Sequence, residues 1–219
     1  MKKFALSFIA IAAACSLVAC TNSQQGNVTN SESSMQAMQT SDAAFELKQA
    51  MRKLWSEHVI WTREYVVAAV AGTPDAEPVA ERLLQNQDDI GNAIVPYYGA
   101  DAGTQLSGLL RQHILIAVDL VAAAKAGDNI KLADADKRWH DNATDIAAFL
   151  SSANPNWPEQ DMVDMLNNHL QVTTQEATAR LQKDWDADIT AFDSIYNQAL
   201  GMADDLSMGI IRQFPEKFQ

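Results

Sequence analysis

Three of the chain's four histidines recur at nearly equal intervals, each set into an apolar stripe of helical period. His113 follows His58 by 55 residues, and His169 follows His113 by 56. Around them, Leu47, Met51, Leu54, His58, Trp61 and Tyr65 fall at steps of three and four, as do Leu106, Leu109, His113, Ile116, Leu120 and Ala124, and then Met162, Met165, His169 and Val172. Steps of this kind line one face of an amphipathic helix, so each histidine is expected to point inward. Further along, Asn86, Asn142 and Asn197 follow their histidines by 28, 29 and 28 residues. The pattern predicts an all-α domain of three tandem helical hairpins, about six helices, forming one helical-repeat or bundle domain. Each hairpin would carry a histidine on its first helix and an asparagine on its second.

Punctuation supports six segments of helical length. "GTPDAEP" closes the first, Pro96 to Gly99 the second, "AGDN" the third, "NPNWP" the fourth and "QKDWDAD" the fifth. Pro158 suits the first turn of the fifth helix, where its missing N–H costs nothing, and Gly127 suits a left-handed helix end. No stretch alternates like a strand.

What the histidines do depends on how the hairpins are arranged. Hairpins stacked in a row would hold equivalent positions about 8–10 Å apart or more, the spacing of packed helices. Closed around a common axis, they would bring His58, His113 and His169 together as ligands for zinc or copper, whose bonds to imidazole are about 2 Å long. The alternative is three neutral core imidazoles, each hydrogen-bonded to the asparagine of its own hairpin: Asn86, Asn142 or Asn197. A second metal candidate is the line of Met162, Met165 and His169, where thioether and imidazole suit Cu(I), with Met202 and Met208 as further sulfur donors and Met35 and Met38 upstream. Methionine on an apolar stripe is equally a filler of core gaps. On the last helix, Asp193, Asn197 and Asp204 lie near one line beside Tyr196: facing inward they could form a carboxylate pair or bind a cation, but such a line more often is the solvated outer face of a terminal helix. His140 falls one step off its helix's stripe and is expected to be partly exposed.

The amino end carries an address. Residues 1–19 have two lysines, an apolar run from Phe4 to Ala14 and then small residues, the pattern of a secretory signal. The run is shorter than the roughly 20 residues of a membrane-spanning helix. Leu17-Val18-Ala19-Cys20 resembles the lipobox of bacterial lipoproteins. That resemblance implies cleavage before Cys20, diacylglycerol on its sulfur and acylation of the new amino end, a stable anchor. Thr21, where an aspartate would retain the protein at the inner membrane, implies an outer-membrane protein facing the periplasm. Residues 20–41, rich in Ser, Asn, Gln and Thr, read as the lipidated cysteine and a flexible tether, and residues 42–219 as the domain. With Cys15 in the leader and Cys20 lipidated, the domain has no thiol for a disulfide, a metal or a nucleophile.

The whole chain has a formal charge of −12, with 16 basic and 28 acidic residues. An acidic chain of this kind argues against nucleic acid as a partner. The expected partners are the membrane, through Cys20, and another envelope protein. No nucleophile elbow, phosphate loop, H-E-x-x-H or haem-attachment motif occurs. Catalysis is therefore disfavoured, and a binding or scaffolding module of the envelope is expected, with metal handling through the inward histidines as the alternative. The stretches "LWSEHVIWTR", "AAFLSSANPNW" and "GIIRQFPEKF" resemble a group of small all-helical bacterial proteins with no assigned activity. The resemblance spans about Leu54 to Phe218 and implies a self-standing all-α domain.

Overall fold

The computed structural model describes residues 41–219, which form six α-helices and a short terminal 3-10 helix, with no strand among the described residues. The leader, Cys20 and the tether residues before Ser41, Met35 and Met38 included, lie outside the described residues. The helices are α1 (Asp42–Ala71), α2 (Ala76–Tyr98), α3 (Ala100–Ala126), α4 (Asn129–Ala153), α5 (Glu159–Gln182) and α6 (Trp185–Gln213). The connections are short, so successive helices reverse direction and α1, α3 and α5 run the same way.

Each helix packs against the next, and α6 returns to pack against α1, so the three hairpins close into a ring. Across its middle, α1 also meets α3 and α5. The ring settles the choice between a row and a closed set of hairpins. It also explains the long repeat, since no single hairpin can bury its own apolar stripe.

Local chemistry repeats with the same period. α1, α3 and α5 each end on a left-handed residue fourteen positions after the histidine: Gly72 (φ 74°), Gly127 (φ 68°) and Lys183 (φ 61°). Glycine adopts this conformation without penalty, and Lys183 is the exception that bears a cost of about 1 kcal/mol. The following residue caps the next helix in two hairpins. The carboxylate of Asp128 accepts from the Lys131 amide, and that of Asp184 from the Ala187 amide, each at 3.1 Å. The last connection is therefore only Lys183-Asp184, and Trp185 already belongs to α6, shorter than the "QKDWDAD" break expected. Pro158 sits just outside α5 as its cap residue rather than within the first turn, and α2 continues through Pro96.

Inside the ring, side chains from α1, α3 and α5 stack in layers of three. Seven residues before the histidines stand Met51, Leu106 and Met162, and three before stand Trp55, Leu110 and Leu166, all buried. One residue after the histidines come Val59, Ile114 and Leu170. Apolar side chains at equivalent places, of differing size, fill the space between the three hairpins and let them share one axis.

Candidate functional site

The histidines form the polar layer of this stack. His58, His113 and His169 are buried, with 2–4% of their surface exposed. The ring of His169 lies 5.6 Å from that of His58 and 6.2 Å from that of His113, centre to centre. The spacing read from sequence therefore brings all three together at the axis.

Each Nδ1 is held by an amide oxygen from the second helix of its own hairpin. His58 Nδ1 donates to Gln87 Oε1 at 3.2 Å, His113 Nδ1 to Asn142 Oδ1 at 2.9 Å, and His169 Nδ1 to Gln198 Oε1 at 2.9 Å. Every partner follows its histidine by 29 residues. The amides cannot be turned round, because their nitrogens are also committed: Asn142 Nδ2 donates to the Leu109 carbonyl and Gln198 Nε2 to the Met165 carbonyl. Both carbonyls lie four residues before the histidine. In the first hairpin two side chains share the task, Asn86 Nδ2 taking the Leu54 carbonyl while Gln87 Nε2 donates to Leu83 O and Asn86 Oδ1. An amide oxygen only accepts, so Nδ1 carries the hydrogen and Nε2 keeps its lone pair.

Of the three asparagines expected as partners, Asn142 is in place, Asn86 is displaced by its neighbour Gln87, and Asn197 is exposed while Gln198 does the work. One residue along a helix turns a side chain by about 100°, so a spacing of 28 points away from the histidine that 29 reaches. A search restricted to asparagine hid the constant interval, since glutamine offers the same amide.

Burial pushes all three imidazoles below the usual histidine range, with the neighbouring histidines adding to the effect at His58 and His113. His113 falls to about 3. At neutral pH the layer is a set of uncharged rings with unprotonated Nε2 atoms.

On the side toward the carboxyl ends of α1, α3 and α5, the histidines border a chamber of about 30 Å³. A water needs roughly 10–15 Å³ by this measure, so the space takes one or two atoms of that size. Its walls are otherwise apolar, with Tyr65, Leu120, Val66, Val121 and Ala177 above the rings and Trp139 beside His113. Thr62 and Thr173 also border it, and the hydroxyl of each donates to the carbonyl of the histidine one turn earlier. On the opposite side, a second cavity of about 20 Å³ is lined by Met51, Trp55, Met165 and Met202, among others.

Met162 and Met165 therefore lie away from the chamber. Met162 belongs to the apolar core, Met165 borders the lower cavity, and neither lines the space above the rings. Met202 is buried in the same core. Asp193 is exposed and Asp204 pairs with Arg52 through two 2.7 Å bonds, the outward line expected of the last helix. His140 is exposed and bonds the Asp136 carbonyl.

The layer that roofs the chamber holds a charged group that no sequence motif marks. Seven residues after the histidines, the three hairpins present Tyr65, Leu120 and Glu176. Glu176 is 1% exposed, and its Oε1 accepts from Arg63 Nη1. Arg63 also holds both oxygens of buried Asp188, at 2.9 and 3.1 Å, and Arg180 adds a third bond to Asp188 at 3.1 Å. The signal was present in the sequence: Glu176 continues the stripe of Met162, Met165, His169 and Val172 at the next step, a charged residue on a buried line.

Among the described residues, no group of three or more histidine, cysteine, aspartate or glutamate side chains is placed so that it could hold a metal ion. Imidazoles on one zinc at about 2.0–2.1 Å place their ring centres about 5–5.5 Å apart. The two separations, 5.6 Å from His169 to His58 and 6.2 Å from His169 to His113, are wider than this. Compared with known protein families, curated proteins and solved structures, the chain has no significant match. The class defined by fold and site is thus an all-α ring of three hairpins with three clamped, neutral histidines on its axis.

Proposed function

We propose that this protein is a lipid-anchored protein of the bacterial envelope that binds one transition-metal ion, zinc or copper, on His58, His113 and His169. The observation that carries the reading is the hydrogen bond from each Nδ1 to an amide oxygen. A histidine that binds a metal through one nitrogen characteristically donates from the other, which fixes the tautomer and the ring's orientation. Here the same device recurs three times at one spacing, on three rings gathered at one axis. Three neutral nitrogens suit zinc or copper, and a three-histidine set leaves a fourth position for water or another small ligand. Because the ligands are uncharged before the ion arrives, binding needs no deprotonation of imidazole at neutral pH.

The lipobox at Leu17–Cys20 supports attachment to the outer membrane facing the periplasm. Enclosure of the chamber supports holding an ion rather than turning over a substrate of any size. Elemental analysis of the full chain, purified from membranes without a histidine tag or chelator, tests the reading. Near one zinc or copper per chain is expected, lost in His113→Leu. Absence of metal, with no thermal shift on adding zinc or copper, would return the three histidines to a packing role and the search to envelope protein partners.

A further inference from the structure

The chamber beside the histidines is bordered by polar atoms that the protein itself leaves unused. His58, His113 and His169 all line it, and each ring is anchored at one edge, where Nδ1 donates to the amide on the second helix of its hairpin. Nε2 lies across the ring from that bond, and no hydrogen bond among the described residues uses it. A fourth wall residue, Trp139, is 3% exposed, packs against the His113 ring and has an indole N–H with no partner among the described residues. Unpartnered acceptors on three wall residues and an unpartnered donor on a fourth are unfavourable unless a guest satisfies them, because buried polar groups otherwise lose the hydrogen bonds that water would give. We propose that the chamber is a binding site for one neutral, water-sized hydrogen-bond donor, a molecule of the class of water and ammonia, which donates to the Nε2 atoms of these histidines.

Size, spacing and charge agree on this class. A space of about 30 Å³ takes one or two atoms the size of a water. Hydrogen bonds to a central nitrogen or oxygen run about 2.7–3.1 Å, against about 2.0–2.1 Å for zinc to imidazole, so a hydrogen-bonded guest holds the rings farther apart, with centres about 6 Å from one another. The separations of 5.6 and 6.2 Å fall there. The lining contains no carboxylate, lysine or arginine, and burial keeps the imidazoles uncharged near neutrality. Such walls favour a neutral guest. The hydroxyls of Thr62 and Thr173 do not compete for the lone pairs, since each is spent on a backbone carbonyl. The lower cavity, of about 20 Å³, borders no imidazole and is expected to stay dry, as apolar cavities do. The guest needs no metal: it occupies the chamber before an ion enters and does not depend on one.

Nitrogen NMR of the chelator-treated wild-type full chain, labelled at its histidines, tests the assignment. A hydrogen bond to an unprotonated ring nitrogen moves its resonance upfield from the position of a free lone pair. Upfield Nε2 resonances are expected at two or more of His58, His113 and His169, with cross-relaxation between their ring protons and a bound guest. Met51 and Met202, which line the lower cavity, should show no such cross-relaxation. Titration with ammonium chloride at mildly alkaline pH, against sodium chloride at the same ionic strength, separates the two sources. A saturable further shift of the Nε2 resonances identifies ammonia as a guest, and an upfield position that ammonium leaves unchanged identifies water; either supports the site. Free-lone-pair positions at two or more of the three Nε2 atoms, or no cross-relaxation to a guest, would mean a dry chamber and overturn the proposal. Metal content is read on separate samples, so a dry chamber would not remove the metal reading, and absence of metal would not remove the bound donor.

Discussion

The two faces of the histidine layer differ in what they ask of the sequence. Below it, the hairpins contribute Met51, Leu106 and Met162, then Trp55, Leu110 and Leu166, around a cavity of about 20 Å³. These positions need shape and apolarity, and three dissimilar sequences satisfy them in three ways. Above it, around a chamber of about 30 Å³, the hairpins stop being interchangeable: Tyr65, Leu120 and Glu176 occupy one layer, and only Glu176 brings in Arg63, Asp188 and Arg180. Pseudo-symmetry is kept where packing alone is at stake and broken where charge is handled. The lower face should therefore respond to mutation in stability, and the upper face in pH and metal dependence.

The largest effect belongs to the lower face. Met202 is 2% exposed and borders the lower cavity, so Met202→Ala enlarges an existing void and should cost about 2–5 kcal/mol in denaturant unfolding. Metal affinity, measured under conditions where the variant stays folded, should hardly change. A tenfold loss of affinity would show that the two faces are not separate.

Acid should act through the upper face. The imidazoles are harder to protonate when folded than when unfolded, so the unfolded chain binds more protons below its own histidine range, and stability falls as pH drops through about 6.5. For His113, held at about 3, the loss between pH 6.5 and 5 is about 2 kcal/mol. Glu176 works the other way: its folded value of about 7 exceeds the unfolded value, so its contribution is complete below about 4.5 and is lost as pH rises toward 7. With three histidines against one glutamate, unfolding of the metal-free protein should show a net loss on acidification. E176Q should make that loss steeper, and an unchanged slope would mean that Glu176 is not the counterweight.

A smaller effect distinguishes the amide at 29 residues from its neighbour at 28. Gln198→Leu orphans both the His169 Nδ1–H and the Met165 carbonyl, costing about 1–3 kcal/mol. It should also weaken zinc binding by about 10–100-fold, the usual effect of losing a ligand's supporting hydrogen bond. Asn197→Ala, at an exposed site, should stay within about 0.5 kcal/mol of wild type. Equal effects from the two would remove the case for a clamp.

Smallest of all is Lys183→Gly. It relieves the one left-handed residue among the described residues that is not glycine, and should raise stability by at most about 1 kcal/mol with no change in metal binding. A destabilised variant would mean that the Lys183 side chain contributes something its turn geometry does not show.

Much of the fold was legible in the histidine period and the stripes around it, because a repeat imposes the same burial demand at each copy. The helix ends at Gly72 and Gly127 were readable for a similar reason: glycine relieves a left-handed backbone. The third end, at Lys183, carries no such mark, and the last connection was expected to be longer than it is. The site was half legible. Histidines on an apolar line had to face inward, but whether they meet depends on ring closure, which is a property of helix packing and leaves no local signature. Gln87 and Gln198 were missed by treating asparagine as the repeating unit rather than the amide at a fixed distance. Arg63 and Asp188 were invisible because they join helices 125 residues apart in sequence.

X-ray absorption at the zinc edge of the reconstituted full chain tests the central claim most directly. The account predicts one zinc per chain in a shell containing three imidazole nitrogens at about 2.0–2.1 Å, reduced by one imidazole or lost altogether in His113→Leu. Zinc bound by carboxylates with no imidazole scattering, or a spectrum unaltered by His113→Leu, would contradict it.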